Sequence, residues 1–126
     1  MFVSDSTYFS KSELMCEHCK KARMDQNFMN KLDALRWKFN HPIRLSSAYR
    51  CPKYNEKVGG VKDSPHTKGI AVDILIYGQE AHRLLGIALE MGFSGIGIKQ
   101  HGEHKDRFIH LDIQTEGTRP WVWTYQ

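Results

Sequence analysis

The sequence is poor in the features that mark membrane-spanning, disulfide-rich and disordered proteins. Its longest apolar stretch, residues 70–77, is interrupted by Asp73, whereas a membrane-spanning helix needs about 20 apolar residues. It contains only three cysteines, an odd number that cannot complete a disulfide framework. Hydrophobic residues make up 40% of the chain and charged residues 25%, which is typical of a globular protein. We therefore expect one folded domain over residues 1–126 that does not insert into a membrane.

Long runs of one charge are also missing. The chain has 18 Lys and Arg against 14 Asp and Glu, which gives a net charge of +4 at pH 7. A basic excess favours anionic surroundings such as nucleic acids or bacterial wall polymers. Because the basic residues are scattered and accompany no recognised nucleic-acid motif, we predict no nucleic-acid partner.

The first residues of the chain carry no secretory signal. Residues 1–6 contain neither the basic region nor the apolar region of a signal peptide. We therefore expect synthesis in the cytoplasm without a signal peptide of its own, so that any function outside the cell would need delivery by other proteins. The sequence contains no internal repeat or linker, so the chain is expected to fold as one unit. We also expect a monomer.

Capping signals and apolar spacing predict two helices in the first third of the chain. Ser10 and Glu13 form a capping box, in which both side chains satisfy backbone N–H groups at the start of a helix. We expect this short helix to continue towards Cys16 and Cys19. A second helix is predicted over residues 24–39, where apolar residues recur every three or four positions.

The rest of the chain predicts strands and one more long helix. An apolar helical stripe covers residues 81–89 and stops before Gly92, and Pro52 can open a short helical turn. Alternating patterns predict strands over residues 43–49, 70–77, 94–99, 108–113 and 121–125. This order is typical of an α+β fold in which helices pack on a small, mostly antiparallel sheet.

Three side chains form a candidate metal site. His66 and Asp73 flank a turn at Gly69, and His110 lies in another apolar strand. Two imidazoles and a carboxylate, with a fourth position left to water, are the ligands of a catalytic zinc ion. The spacing alone leaves a second interpretation open, in which the histidines are hydrogen-bonded core residues and Asp73 pairs with an arginine.

Several motifs of this sequence resemble those of the M15 zinc peptidases, from about residue 9 to residue 123. They are Ser-Ala-Tyr-Arg-Cys-Pro at 47–52, Asn55, Val-Gly-Gly at 58–60, Ser-Pro-His-Thr-Lys-Gly-Ile-Ala-Val-Asp-Ile at 64–74 and Phe-Ile-His-Leu-Asp at 108–112. The resemblance is nearest to the M15A-type branch, which contains D-Ala-D-Ala carboxypeptidases and phage-encoded peptidoglycan peptidases. It implies the α+β fold shared with the hedgehog signalling domain. It also implies a Zn²⁺ cofactor, with His66, Asp73 and His110 as its ligands.

The resemblance also implies a function. We expect a zinc metallopeptidase that hydrolyses peptidoglycan stem or cross-bridge peptides, as a carboxypeptidase or an endopeptidase. Small size and the missing signal suit a phage lysis enzyme or a virion component that acts on the cell wall. The alternative is a non-catalytic zinc module of the same fold, used for binding or as a structural part, as in hedgehog-like members.

The general base does not follow directly from the resemblance. Relatives often place an acid three residues before the last histidine ligand, but this sequence has Arg107 there, which cannot accept a proton. We predict Asp106, the nearest acid before His110, as the general base. The alternatives are Glu103, His104 and Asp112.

Two further residues match functional positions of the family. Arg50 corresponds to an arginine near the scissile carbonyl, where a guanidinium would stabilise the oxyanion and hold a substrate carboxylate; its alternative role is an ion pair with a surface acid. Ser64 corresponds to the serine of the histidine motif and is predicted to bind the substrate peptide. Alternatively, Ser64 only caps the turn into Pro65.

Two patterns remain outside this assignment. Cys16 and Cys19 form a CxxC motif that Cys51 and His18 could complete to a second zinc site. One CxxC pair alone is a weak signal, and we interpret these cysteines as packing residues. The alternating aromatic residues from Trp121 onwards are interpreted as a final strand that covers the sheet, with ligand stacking as the alternative.

Overall fold

The fold places helices on one face of a five-stranded sheet, as a computed structural model of residues 1–126 shows. The helices are α1 (Lys11–Leu14), α2 (Gln26–Phe39), α3 (Pro52–Lys57) and α4 (Gly78–Glu90). Two 3-10 turns cover Pro65–Lys68 and His104–Asp106. The strands are β1 (Phe2–Val3), β2 (Met24–Asp25), β3 (Arg44–Ser47), β4 (Ala71–Leu75), β5 (Gly95–Lys99), β6 (Phe108–Asp112) and β7 (Trp121–Thr124). None of the helices combines the length and the apolar character needed to cross a membrane.

The five-stranded sheet has the order β3-β4-β6-β5-β7, and β1 and β2 form a separate pair. The α+β fold class is confirmed, but the larger sheet is mixed because β7 runs parallel to β5. All other neighbouring strands are antiparallel. The connection after β6 passes the beginning of β5, so β7 starts beside Gly95 and runs in the same direction as that strand.

The helix boundaries follow the capping residues. The hydroxyl of Ser10 accepts a hydrogen bond from the Glu13 N–H, as the capping box predicts. However, α1 already ends at Leu14, because Met15 has an extended backbone, and it does not reach the cysteines. Met24 lies in β2 rather than in α2, which begins after Asp25, whose carboxylate caps the N–H of Phe28.

The two faces of the sheet have different chemistry. On one face, apolar side chains of β4 and β6, among them Val72 and Leu111, pack in a core with α2 and α4. Because side chains alternate between the faces of a strand, the neighbouring residues Asp73 and His110 point to the opposite face. The register places these two residues directly across from each other. The hydrophobic core therefore fixes the strands that carry the candidate ligands.

The glycine of the histidine motif holds the turn between His66 and β4 against β2. Gly69 has φ +71°, in the left-handed region, and its carbonyl accepts a hydrogen bond from the Asp25 N–H at 2.9 Å. A Cβ atom at Gly69 would overlap the carbonyl oxygen of Arg23. The position therefore requires glycine for both its backbone angle and its close contact.

We predict that Gly69→Ala destabilises the protein by about 2 kcal/mol or more. The left-handed conformation costs a non-glycine residue about 1–2 kcal/mol, and crowding against β2 adds about 1–3 kcal/mol. Gly59→Ala is a matched control, because Gly59 has φ +75° but open space around it, so only the backbone cost remains. Urea denaturation of both variants measures the difference, and equal destabilisation would contradict the close contact.

Candidate metal centre

The structure brings the three predicted metal ligands together on the polar face of the sheet. Their ligand atoms lie within 4.8 Å of one another. Asp73 Oδ1 is 2.9 Å from His110 Nδ1 and 3.4 Å from His66 Nε2. The two imidazoles are almost fully buried, at 2% and 5% side-chain exposure, and the carboxylate is slightly more open, at 15%. The arrangement forms a small polar cluster with one accessible side.

Each histidine forms a hydrogen bond on the side away from Asp73. This hydrogen bond determines which ring nitrogen carries the proton and which is left as an acceptor towards Asp73. His66 Nδ1 is 2.7 Å from the carbonyl oxygen of Ala48, which can only accept, so Nδ1 carries the proton. His110 Nε2 is 2.8 Å from the Asp112 carboxylate, which holds a proton on Nε2 in the same way. In both neutral histidines, the nitrogen atom facing Asp73 therefore presents a lone pair.

Two lone pairs and a carboxylate oxygen directed at one another repel unless a cation lies between them. Two imidazoles and a carboxylate suit zinc, which takes such ligands at about 2.0–2.2 Å. At tetrahedral angles these bond lengths separate the ligand atoms by about 3.3–3.6 Å, close to the spacing in the cluster. The residues therefore fit a zinc ion with three protein ligands and one further position.

The pKa values of the cluster show the same preference for positive charge. Burial raises the pKa of the Asp73 carboxyl, but hydrogen bonds and charge interactions with His110 and His66 outweigh burial and hold the pKa well below its usual range. Burial lowers the pKa of His110, but its hydrogen bonds to Asp112 and Asp73 outweigh burial and raise the pKa overall. The protein thus stabilises one cation here, a proton or a metal ion.

Asp112 supports His110 from behind. Its side chain is fully buried, and Arg119 donates hydrogen bonds to both carboxylate oxygens, at 3.2 and 2.8 Å. Burial raises the pKa of Asp112, but the hydrogen bonds from His110 and Arg119 hold the pKa well below its usual range. Such a carboxylate orients a histidine ligand and increases its basicity. The sequence analysis named Asp112 as an alternative general base, whereas the structure places it behind the cluster.

The cluster opens into a cleft of about 900 Å³. Arg50 and Ser64 both line this cleft, near His66. The backbone N–H of Arg50 donates to the His66 carbonyl at 3.2 Å, and its buried side-chain Nε has no hydrogen-bond partner in the protein. Ser64 is buried, and its hydroxyl accepts a hydrogen bond from the His66 N–H at 3.2 Å. Ser64 therefore caps the turn that carries the ligand, and its substrate contact stays a prediction.

Asp106 does not line the cleft. It lies on an exposed 3-10 turn before β6, where its carboxylate and that of Glu103 both contact Lys105 Nζ, at 3.8 and 3.6 Å. His104 of the same turn stacks on Tyr77, with ring centroids 4.4 Å apart. The assignment of Asp106 as general base therefore stays a prediction.

Aromatic residues of the last strand form another wall of the cleft. Trp123 and Tyr125 line it, and the Trp123 ring lies 5.1 Å from the His110 ring. These rings occupy the space over Gly97, where a Cβ atom would come within 2.6 Å of Trp123 Nε1. The sequence analysis found the strand, but it missed Arg119, because an arginine in a loop gives no periodic signal.

Comparison with known proteins adds a family assignment to this geometry. Residues 7–112 match the family model described as Peptidase M15. The match includes all three residues of the cluster and Asp112, but the wall from Gln114 to Tyr125 lies beyond it. No curated protein matches the chain.

We predict that Asp112→Asn lowers the affinity of the cluster for zinc by about 10–100-fold, the usual effect of losing such a supporting carboxylate. His66→Ala should abolish zinc binding at this cluster. The measurement is the zinc retained per chain during titration with a competing chelator, with circular dichroism as the check on folding.

Glu116→Gln is the matched control, because Glu116 is an exposed acid that lines the cleft and pairs with Lys68. It should bind zinc as the wild type does. Wild-type affinity in folded Asp112→Asn protein would mean that Asp112 does not support the metal ligand.

Proposed function

Because the chain belongs to the Peptidase M15 family, we propose that it is a zinc-dependent peptidase that hydrolyses stem or cross-bridge peptides of peptidoglycan. The observation that carries this proposal is the acceptor cluster of His66, Asp73 and His110 at the base of an open cleft. When bound there, zinc supplies Lewis acidity and lowers the pKa of a water molecule towards 7. The surrounding residues provide the rest of the chemistry.

Arg50 is the residue best placed to bind the substrate beside the cluster. It forms none of the ion pairs of the protein, and its buried Nε lacks a partner. A buried donor without a partner costs about 1–3 kcal/mol, so the position of Arg50 in the wall of the cleft is not explained by a stabilising contact of its own. The planar guanidinium can bind the scissile carbonyl as negative charge develops, or the terminal carboxylate of a stem peptide.

The shape and charge of the cleft are consistent with an anionic peptide. Basic side chains, among them Lys62 and Lys68, line this cleft of about 900 Å³. Stem peptides of peptidoglycan carry free carboxylates, and the protein has a net charge of +4. We extend the proposal to a monomeric phage lysis enzyme or virion component that reaches the wall after release.

One observation favours the alternative of a non-catalytic zinc module. None of the three residues that the sequence analysis named in the loop before β6 (Glu103, His104 and Asp106) lines the cleft. Catalytic hydrogen bonds often form only in the substrate complex, so the loop needs to approach the cleft when the substrate binds.

The test is digestion of purified bacterial cell walls by zinc-loaded protein. We expect released peptides or amino acids, or altered muropeptides once a muramidase has cut the glycan strands, and their masses identify the cleaved bond. A chelator or His66→Ala should abolish these products, and the His66→Ala protein also controls for contaminating hydrolases. Zinc-loaded protein that binds walls but cleaves no peptide bond in several wall types would instead support the non-catalytic module.

We predict that Asp106→Ala keeps its zinc but lowers kcat by about 10²–10⁴-fold, the usual contribution of a positioned acid–base group. Glu103→Ala is the matched comparison, because Glu103 also carries a negative charge at this turn and also contacts Lys105. Wild-type kcat in Asp106→Ala with a large loss in Glu103→Ala would move the role to Glu103.

We predict that Arg50→Lys lowers kcat by about 10²–10³-fold while zinc content and folding are unchanged. Lysine keeps the charge but loses the planar pair of donors, and removal of one oxyanion donor has an effect of this size. A higher KM with unchanged kcat would mean that Arg50 binds substrate and transition state equally. Wild-type kinetics in both Arg50→Lys and Arg50→Ala would remove Arg50 from the site.

A further inference from the structure

A second group of potential metal ligands lies outside the cleft, where the loop after α1 meets the start of α3. The sulfur atoms of Cys16, Cys19 and Cys51 lie within 4.8 Å of one another, although Cys51 is far from the other two in the sequence. Cys16 Sγ is 3.7 Å from Cys51 Sγ, which in turn is 3.6 Å from His18 Nδ1. All three cysteines are free thiols.

Two distances, from Cys16 Sγ to Cys51 Sγ and from Cys51 Sγ to His18 Nδ1, match edges of a tetrahedral zinc site, whereas the group whose ligand atoms all lie within 4.8 Å of one another contains only the three cysteines. Zinc binds thiolates at about 2.3 Å and imidazole at about 2.0–2.1 Å. At tetrahedral angles two sulfur ligands are then about 3.8 Å apart, and sulfur and nitrogen about 3.6 Å apart. We propose that Cys16, Cys19, Cys51 and His18 form a second, structural zinc site of the Cys₃His type.

The local backbone presents the ligands together. The Cys16 N–H donates to the Lys21 carbonyl and the Lys20 N–H donates to the Cys16 carbonyl, both at 2.8 Å, which closes a tight loop around the CxxC motif. Lys20 completes this loop in the left-handed conformation, with φ 60°. Cys51 is the N-cap of α3, and its sulfur accepts a hydrogen bond from the Tyr54 N–H at 3.4 Å. Such N–H donors stabilise a sulfur atom that carries negative charge.

A packing role explains these cysteines less well. Cys16 is buried, but none of the three belongs to the hydrophobic core cluster, and Cys19 and Cys51 are partly exposed. Reactive, exposed thiols are a liability in a protein unless they are bound or functional. The sequence analysis named Cys51 and His18 as possible partners of the CxxC pair, but it interpreted the cysteines as packing residues because one such pair alone is a weak signal. The fold brings Cys51 beside this pair.

The position of the site suggests what the second zinc ion stabilises. Cys51 follows Arg50 directly, and the N–H of Tyr49 donates to the Leu14 carbonyl at 3.2 Å. Zinc would therefore tie the N-terminal segment to the segment that carries Arg50 into the cleft. The four protein ligands leave no open coordination position, which is typical of a structural rather than a catalytic site.

A thiol-directed mercurial distinguishes the two zinc sites, because sulfur is a ligand only in this one. We expect that protein purified under reducing conditions releases about one zinc ion per chain, measured with a colorimetric zinc indicator, as the mercurial titrates the three cysteines. His66→Ala protein should release the same amount, because its cysteines are intact. This readout is independent of peptidase activity, so failure here leaves the proposed function untouched.

Substitution of two proposed ligands, Cys19 and His18, provides a second test of the site. Cys19→Ser and His18→Ala should release at least tenfold less zinc on mercurial treatment, while Glu17→Ala, a non-ligand between the two cysteines, should release as much as the wild type. Cobalt(II)-loaded wild type should show a thiolate-to-cobalt charge-transfer band that Cys19→Ser weakens.

Alkylation by iodoacetamide separates the remaining outcomes. Cysteines that stay protected until a chelator is added support the zinc site. Immediate alkylation of all three thiols, or protection that only a reductant removes, would overturn it in favour of free thiols or a disulfide.

Discussion

The candidate active site depends on the two acceptors that hold the protons of its histidines. The Ala48 carbonyl takes the proton on His66 Nδ1, and the Asp112 carboxylate takes the proton on His110 Nε2. Both remaining nitrogen atoms then point their lone pairs at Asp73. Without these two hydrogen bonds the same three side chains would form an ordinary buried hydrogen-bonded group. In neutral histidines the outer hydrogen bonds use the only proton of each ring, so the inner side favours an added cation, either a second proton or a metal ion.

The site also depends on two glycines of β5, which leave space over the sheet because they have no side chains. Gly95 lies opposite Asp112 and Gly97 lies opposite His110 on β5. A Cβ atom at Gly95 would overlap the Asp112 carboxylate, and one at Gly97 would press on Trp123. The two glycines therefore provide the space in which Asp112 and Trp123 lie over the strand. A polar site on a sheet face needs such space, because pleated strands otherwise fill the face with side chains.

The sequence predicted the inner part of the site better than its surroundings. His66, Asp73 and His110 were recognisable because the motifs that contain them resemble those of a known family, whereas their spacing alone left a core role open. Arg119 could not be predicted, since its contact with Asp112 depends on the path of a loop. The parallel pairing of β7 depends on the same loop, so the mixed sheet was missed for the same reason. The sequence also named Cys51 as a possible partner of the CxxC motif, but only the fold shows that these two distant segments meet.

The strand β7 lies beyond the stretch that matches the family. The candidate ligands and Arg50 lie within that stretch, whereas Trp123 stands on β7, which pairs with the sheet along one edge only, and Tyr125 follows that strand. Substitutions on this wall would reshape the cleft. Those at Trp123 and Arg119 would also disturb His110, because Trp123 packs on its ring and Arg119 holds the carboxylate behind it.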